Sequence, residues 1–189
     1  MLKVAIVGNI ASGKSTVENF LADSGYKILD TDKVCHKLLD ILPEIKLEFA
    51  SYDITNPDNG TISREKLGKL VFGNKKFKKN LEDILYPHVR AEILAFFNFN
   101  KHEKYVFVSA PQLFEAGMED LFDRILFVYC DDEIRLERLM TNREYSAEYA
   151  KLRMASQSDQ IEKVKKSDWV VYNNTTVEDL KSQVFKLIV

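Results

Sequence analysis

The feature that most restricts what this chain can fold into is the stretch Gly8-Asn9-Ile10-Ala11-Ser12-Gly13-Lys14-Ser15-Thr16. It fits the phosphate-binding pattern G-x-x-x-x-G-K-[ST]. A chance match in a loop is the plain alternative, and the flanking residues argue against it. Before the loop runs Leu2-Lys3-Val4-Ala5-Ile6-Val7, a short, mostly apolar run that reads as a buried strand. After it, Val17, Phe20 and Leu21 recur at helical spacing. Strand, glycine-flanked loop and helix is the order in which such a loop works. Gly8 and Gly13 let the backbone approach a ligand with no Cβ in the way. Successive N–H groups then form an anion nest, backed by the positive end of a helix that starts near Lys14. The Lys14 ammonium can reach the β- and γ-phosphates of a nucleotide, the Ser15 hydroxyl can ligate Mg²⁺, and Thr16 continues the phosphate contacts.

The rest of the chain has the length and pattern to carry this loop. Its 189 residues, 46% of them hydrophobic, suit one globular domain with a sizeable core. Cys35 and Cys130 are too few and too scattered for a disulfide scaffold or a zinc site, and Cys130 reads as a buried small hydrophobe. The first apolar run is a strand rather than a leader, and no stretch approaches 18 apolar residues, so a cytoplasmic protein without a membrane span is expected. A net charge of −2 offers no basic excess for nucleic acid. Residues 64–90 are locally basic, with eight Lys or Arg against three acids. Such a run is either a solvated helix face or a field that attracts a polyanionic small substrate.

Read in order, the chain alternates strands and helices. Gly25 closes the first helix, and Tyr26-Lys27-Ile28-Leu29 is a second strand ending at Asp30-Thr31-Asp32. Ligands of open α/β sheets bind beyond the carboxyl ends of the strands, so these aspartates are candidates for a catalytic or Mg²⁺-linked carboxylate. A helix cap is the bland role for one of them. Residues 33–100 are mainly helical. Pro43 interrupts a first helix, Asn56-Pro57-Asp58-Asn59-Gly60 makes a turn, Ser63 caps a further helix, and Pro87 kinks or restarts the longest one. This block reads as a helical insertion at the sheet edge, a natural place for a substrate pocket. Tyr105–Val108, Arg124–Tyr129 and Trp169–Tyr172 are the third, fourth and fifth strands. The third ends in Ser109, where many P-loop ATPases place a Mg²⁺-linked aspartate, which shifts weight onto Asp30 and Asp32. Between the fourth and fifth strands lie Arg135, Arg138, Arg143 and Arg153. These are either solvated ion-pair partners or the arginines of a mobile lid over the γ-phosphate. The expected fold is therefore α/β. It is the three-layer P-loop NTPase type, a five-stranded parallel sheet with helices on both faces, plus a helical insertion and a helical lid.

With these segments in order, the chain resembles the dephospho-CoA kinases, a P-loop kinase group related to nucleoside monophosphate kinases, over nearly its full length. The loop matches that family's G-G-I-[GA]-S-G-K-S-T with Asn9 in place of the second glycine, and Asp30-Thr31-Asp32-Lys33-Val34-Cys35-His36 matches its D-x-D-x-[IV]-x-[RH]. Asn59–Arg64 followed by Val71-Phe72, Pro111-Gln112-Leu113-Phe114-Glu115, Arg153-Met154-Ala155-Ser156-Gln157 and Ser167–Asn173 fit further family segments. Three positions depart from the pattern: Tyr86 stands for the usual His before Pro, Ser109-Ala110 lacks the frequent Asp, and Asn142 replaces a lid arginine with Arg143 adjacent.

The resemblance implies a P-loop core of about residues 1–34, 103–135 and 167–189, a substrate-binding insertion of about 35–102 and a lid of about 136–166. It also implies transfer of the ATP γ-phosphoryl group to the ribose 3′-hydroxyl of dephospho-CoA, giving coenzyme A, with Mg²⁺. Lys14, Arg138, Arg143 and Asp32 would serve the chemistry, and Ser15 the metal. The residues of the loop from Gly8 to Thr16, with Arg138, Arg153 and Asn173, would bind ATP, Asn173 facing the adenine. Asp32, His36, Arg64 and Tyr86 would meet the acceptor. Another small-molecule P-loop kinase, acting on a nucleoside monophosphate, shikimate or gluconate, and a nucleotide-dependent switch are the alternative readings. Oligomeric state is not legible.

Overall fold

The computed structural model describes residues 1–188. The chain divides into two compact units, residues 1–30 with 97–189, and residues 31–96.

The first unit is built on a five-stranded parallel sheet: β1 (Leu2–Val7), β2 (Lys27–Asp30), β3 (Tyr105–Ser109), β4 (Arg124–Tyr129) and β5 (Trp169–Tyr172). The spatial order is β2-β3-β1-β4-β5, so β1 is central and is flanked by β3 and β4. The three inner strands, β1, β3 and β4, are short and mostly apolar because both of their faces are covered, as parallel sheets require. Val4, Ala5, Ile6 and Val7 are all fully buried. Alternation sends Val4, Ile6, Phe107, Leu126, Val128 and Val171 to one face. There they pack with Val17 and Leu21 of α1 (Lys14–Asp23) and Leu180 and Val184 of α9 (Val177–Leu187). Register places Ser109 beside Ile6 on one side and Asp30 on the other, so Ser109 shares the face that α1 covers.

β2 runs one residue later than Tyr26–Leu29, with Asp30 as its last residue. The chain leaves α1 through Ser24 and Gly25, and the Tyr26 N–H is spent on the Leu21 carbonyl at 3.1 Å. Tyr26 therefore belongs to the end of the helix rather than to the strand.

After β4 come α6 (Asp132–Asn142), α7 (Ala147–Ala155) and α8 (Gln160–Lys165). Asp132 and Glu133 stand in the first turn of α6, where the helix dipole favours acids. Ser146 caps α7 by accepting from the Tyr149 N–H at 3.2 Å, and Asp159 caps α8 through the Ile161 N–H at 2.7 Å. Gln157, in the same stretch as the lid helix by sequence, lies beyond the end of α7, which stops at Ala155.

The second unit is helical: α2 (Thr31–Ile41), α3 (Pro43–Glu48), α4 (Arg64–Phe72) and the greater part of α5 (Lys75–Phe99). Pro43 ends one helix and opens the next at its first position, where its missing N–H costs nothing. The Asn56–Gly60 turn closes a small antiparallel bridge between Thr55 and Ile62. Ser63 caps α4, and Asn74 caps α5 by accepting from the Lys76 and Phe77 N–H groups. α5 continues through Pro87 as one helix of 25 residues, so the proline does not restart it. Phe49 and Phe77 meet edge to face with centroids 6.1 Å apart, and Tyr52 joins Phe77 at 4.9 Å. Much of the basic run is neutralised on exposed helix faces: Lys69 pairs with Glu65, Lys78 with Glu82 and Lys79 with Asp83, each one turn apart, while Lys66 reaches Asp53. For these lysines the solvated-face reading holds.

Candidate active site

The loop between β1 and α1 is shaped by two residues with positive φ. Gly13, the N-cap of α1, has φ +95°, and Ala11 has φ +61°. The left-handed conformation costs a non-glycine residue of order 1–2 kcal/mol, so Ala11 marks a segment held by its surroundings. Gly13 has a second reason to lack a side chain. A Cβ there would lie 1.9 Å from Asn173 Nδ2. Gly8 is needed for packing instead: a Cβ would lie 2.5 Å from the Ser12 hydroxyl and 3.1 Å from the Val128 carbonyl. α1 then begins at Lys14, so its unpaired first-turn N–H groups face the loop mouth. This is an anion cradle by construction, and it fits phosphate. Ser15 is exposed in that first turn.

Contacts from distant parts of the first unit hold the loop. Asn173, at the end of β5 and 5% exposed, donates to the Ser12 carbonyl at 2.8 Å. Arg138, on α6, reaches the Ala11 carbonyl at 3.4 Å and the Asn173 carbonyl at 3.1 Å. Arg135, one turn earlier and 2% exposed, donates to the Ile10 carbonyl at 2.9 Å and pairs with Asp132 at 2.7 Å. From the segment after α7, the Gln157 side-chain oxygen accepts from the Ile10 N–H at 2.7 Å, and the Ser158 carbonyl accepts from Asn9 Nδ2 at 2.9 Å. That segment is itself pinned. Ser158 Oγ donates to Glu115 at 2.8 Å, buried Lys163 pairs with Glu115 at 2.9 Å, and Gln160 donates to the Cys130 carbonyl and to Asp132. Burial opposes ionisation of Glu115, but the hydrogen bonds from Lys163 and Ser158 outweigh it and hold the carboxyl below its ordinary range. Burial also pushes the Cys130 thiol up, which keeps it a neutral packing residue.

A cavity of about 590 Å³ opens beside Asn9, with Arg135, Leu136, Lys151, Met154 and Gln157 among its walls. Asn9 Oδ1, Arg135 Nη2 and Gln160 Oε1 on its lining are buried without a partner. One donor and two acceptors are thus available there to a polar ligand or to water.

The site residues anticipated from sequence separate into two groups. Gly8 through Thr16, Arg138 and Asn173 come together in the first unit. Arg153, on α7, reaches the Tyr149 hydroxyl at 3.4 Å and lies over that ring, and Arg143 is exposed at the C-cap of α6. Asp32, His36, Arg64 and Tyr86 belong to the helical unit. Asp32 and His36 are exposed one turn apart on α2, Arg64 is exposed at the start of α4, and Tyr86 is half-buried on α5. Asp30 directly precedes α2, the position a cap occupies, and Asp32 follows in the first helical turn. Arg135 was anticipated as either an ion-pair partner or a lid arginine, and it pairs with Asp132 while holding the Ile10 carbonyl. Gln157, Ser158 and Gln160 were not among the anticipated site residues, and only the R-x-x-x-Q spacing of Arg153 and Gln157 gave any hint of them.

A parallel sheet whose central strand runs through a glycine loop into a helix, with a lysine at the helix start and arginines from a later helix on the loop, defines a P-loop kinase. The dephospho-CoA kinase family model matches residues 2–179, and the chain belongs to that family. A dephospho-CoA kinase of Listeria innocua is 37% identical over 98% of this chain and 94% of its own length. The solved dephospho-CoA kinase from Campylobacter jejuni superposes with a TM-score of 0.75 at 34% identity, covering 98% of this chain and 94% of its own. A crystal structure from Thermus thermophilus reaches 0.87 at 31% identity, covering 99% and 95%.

Proposed function

We propose that this chain transfers the γ-phosphoryl group of ATP to the ribose 3′-hydroxyl of dephospho-CoA, giving coenzyme A and ADP. Membership of the dephospho-CoA kinase family over residues 2–179 is the observation that carries this reading. The loop fits the nucleotide half of the reaction. Lys14, the first-turn amides of α1 and the loop backbone would hold the β- and γ-phosphates, and exposed Ser15 would hold Mg²⁺. Mg²⁺ takes one or two protein ligands and otherwise phosphates and water, so one hydroxyl and a bound triphosphate suit it. When bound, the ion neutralises charge on the transferring group.

Arg138 would act from a fixed place, since its guanidinium is already tied to the Ala11 and Asn173 carbonyls. Arg143 and Arg153 are the further candidates for charge neutralisation, and Asn173 would serve the nucleotide both by holding Ser12 and by facing the adenine. Asp32 would accept or orient the proton of the acceptor hydroxyl. An ordinary aspartate is a weak base, so orientation is the larger part of that role. His36, Arg64 and Tyr86 would contact the acceptor in the helical unit, the part of the chain read as its binding insertion. The reaction belongs with a cytoplasmic metabolic enzyme, and no described helix is long and apolar enough to cross a membrane.

The test is Asp32→Asn. Turnover should fall by about two or more orders of magnitude, the scale of acid–base catalysis, with affinity for an ATP analogue unchanged. Near-wild-type turnover would remove Asp32 from the mechanism.

A further inference from the structure

The end of β3 carries a serine where P-loop phosphotransferases often place an aspartate linked to the nucleotide's metal. The sheet register turns that serine toward α1. On α1, Glu18 follows Lys14 by one helical turn, which brings the carboxylate and the ammonium to the same face. Glu18 Oε1 accepts from Lys14 Nζ at 2.7 Å and from Ser109 Oγ at 2.7 Å, and Lys14 Nζ also bonds the Ser109 hydroxyl. Ser109 is fully buried, and the Lys14 and Glu18 side chains are only 17% and 16% exposed. This is therefore no ordinary surface helix pair, which would be screened and worth little. A hydroxyl donates one proton and accepts on its lone pairs, so Ser109 can serve carboxylate and ammonium at once. It fixes both relative to the strand end.

We propose that Glu18 supplies, from α1, the carboxylate that the end of β3 lacks. Ser109 holds it at the P-loop lysine, and Glu18 acts as a positioning residue for Lys14 and as the acidic group toward the metal that would accompany bound nucleotide. The negative charge has moved from strand to helix, and the serine is what makes the move work. The same arrangement relieves Asp30 and Asp32 of having to replace the missing strand-end acid. The proposal rests on reading the chain as an ATP-dependent phosphotransferase.

The experiment compares wild type, Glu18→Gln and Glu18→Gln/Ser109→Asp. Affinity for a fluorescent ATP analogue is titrated with and without Mg²⁺, alongside steady-state turnover of dephospho-CoA. Glu18→Gln keeps the hydrogen-bonding shape and removes the charge. It should lower kcat by about tenfold or more and cut the Mg²⁺-dependent gain in analogue affinity by a similar factor. Returning a carboxylate to the strand end with Ser109→Asp should recover most of both losses. Two results would overturn the proposal: Glu18→Gln within about twofold of wild type in both readouts, or a double variant that melts like wild type yet recovers nothing. The titration uses no acceptor, so failure of wild type to turn over dephospho-CoA would sink the functional reading while still deciding the role of Glu18.

Discussion

At the scale of single residues, the loop depends on what is absent from position 13. Gly13→Ala meets two obstacles, a positive φ and the Asn173 amide at 1.9 Å. It should cost on the order of 2–3 kcal/mol through strain and overlap, read as a lower Tm together with lost ATP-analogue binding. Unchanged binding would mean that the loop can reshape freely. Asn173→Ala removes the bond to the Ser12 carbonyl. It should weaken analogue binding by roughly fivefold to tenfold, about the net worth of one buried hydrogen bond, with little change in KM for the acceptor. The glycines and Lys14 were legible in the sequence because the requirement for them is local. Asn173 was legible only as a match to a family segment. Its hold on Ser12 spans 161 positions, and no periodicity encodes a contact between the end of β5 and a loop that follows β1, with β4 between the two strands. The serine at 109 read as a missing acid for the same reason. Its partner Glu18 becomes visible only once register turns the strand end toward α1.

At the scale of elements, the segment from Gln157 to Gln160 acts as a strap on the P-loop, and Glu115 is its fastening. Because the folded Glu115 carboxyl titrates below its ordinary value of 4.5, its contribution to stability is complete above that value. The contribution is lost as pH falls through the lowered folded value, since the folded state then binds the proton that the unfolded chain already holds. Melting measured from neutral pH to below 4 should show this acid-side loss, and Glu115→Gln should flatten it while lowering Tm at neutral pH, where Lys163 loses its buried partner. An identical acid-side slope in the variant would place the titration elsewhere. Helix boundaries here followed local chemistry closely: Ser63, Ser146 and Pro43 did what their side chains predict. Two boundaries did not. Tyr26 was claimed by the end of α1, and Pro87 was absorbed into α5, whose neighbouring turns offset the one hydrogen bond a proline removes.

At the scale of the whole molecule, the sheet that carries the loop is held by a core in which Val4 to Val7 of β1 are fully buried. Leu126→Ala, at 1% exposure between α1, α9 and the central strand, should cost about 2–5 kcal/mol, measured by denaturant unfolding. A loss below about 1 kcal/mol would mean that the core can collapse into the gap. Strand number and parallel character were readable from five apolar runs spaced by helices. Their spatial order was not, because it is decided by which crossovers bury both faces. The helical unit was legible as a block without strand signals. The acceptor-binding roles proposed for its Asp32, His36, Arg64 and Tyr86 rest on their positions in the sequence.

The chain is a kinase of the dephospho-CoA kinase family, and the central claim is its acceptor. The most direct measurement is ADP formation from ATP and Mg²⁺ with dephospho-CoA, run beside AMP, shikimate, gluconate and no acceptor, with products identified by mass. The account predicts ADP and coenzyme A with dephospho-CoA alone. Turnover with a different acceptor, or equal ADP in every reaction, would contradict it.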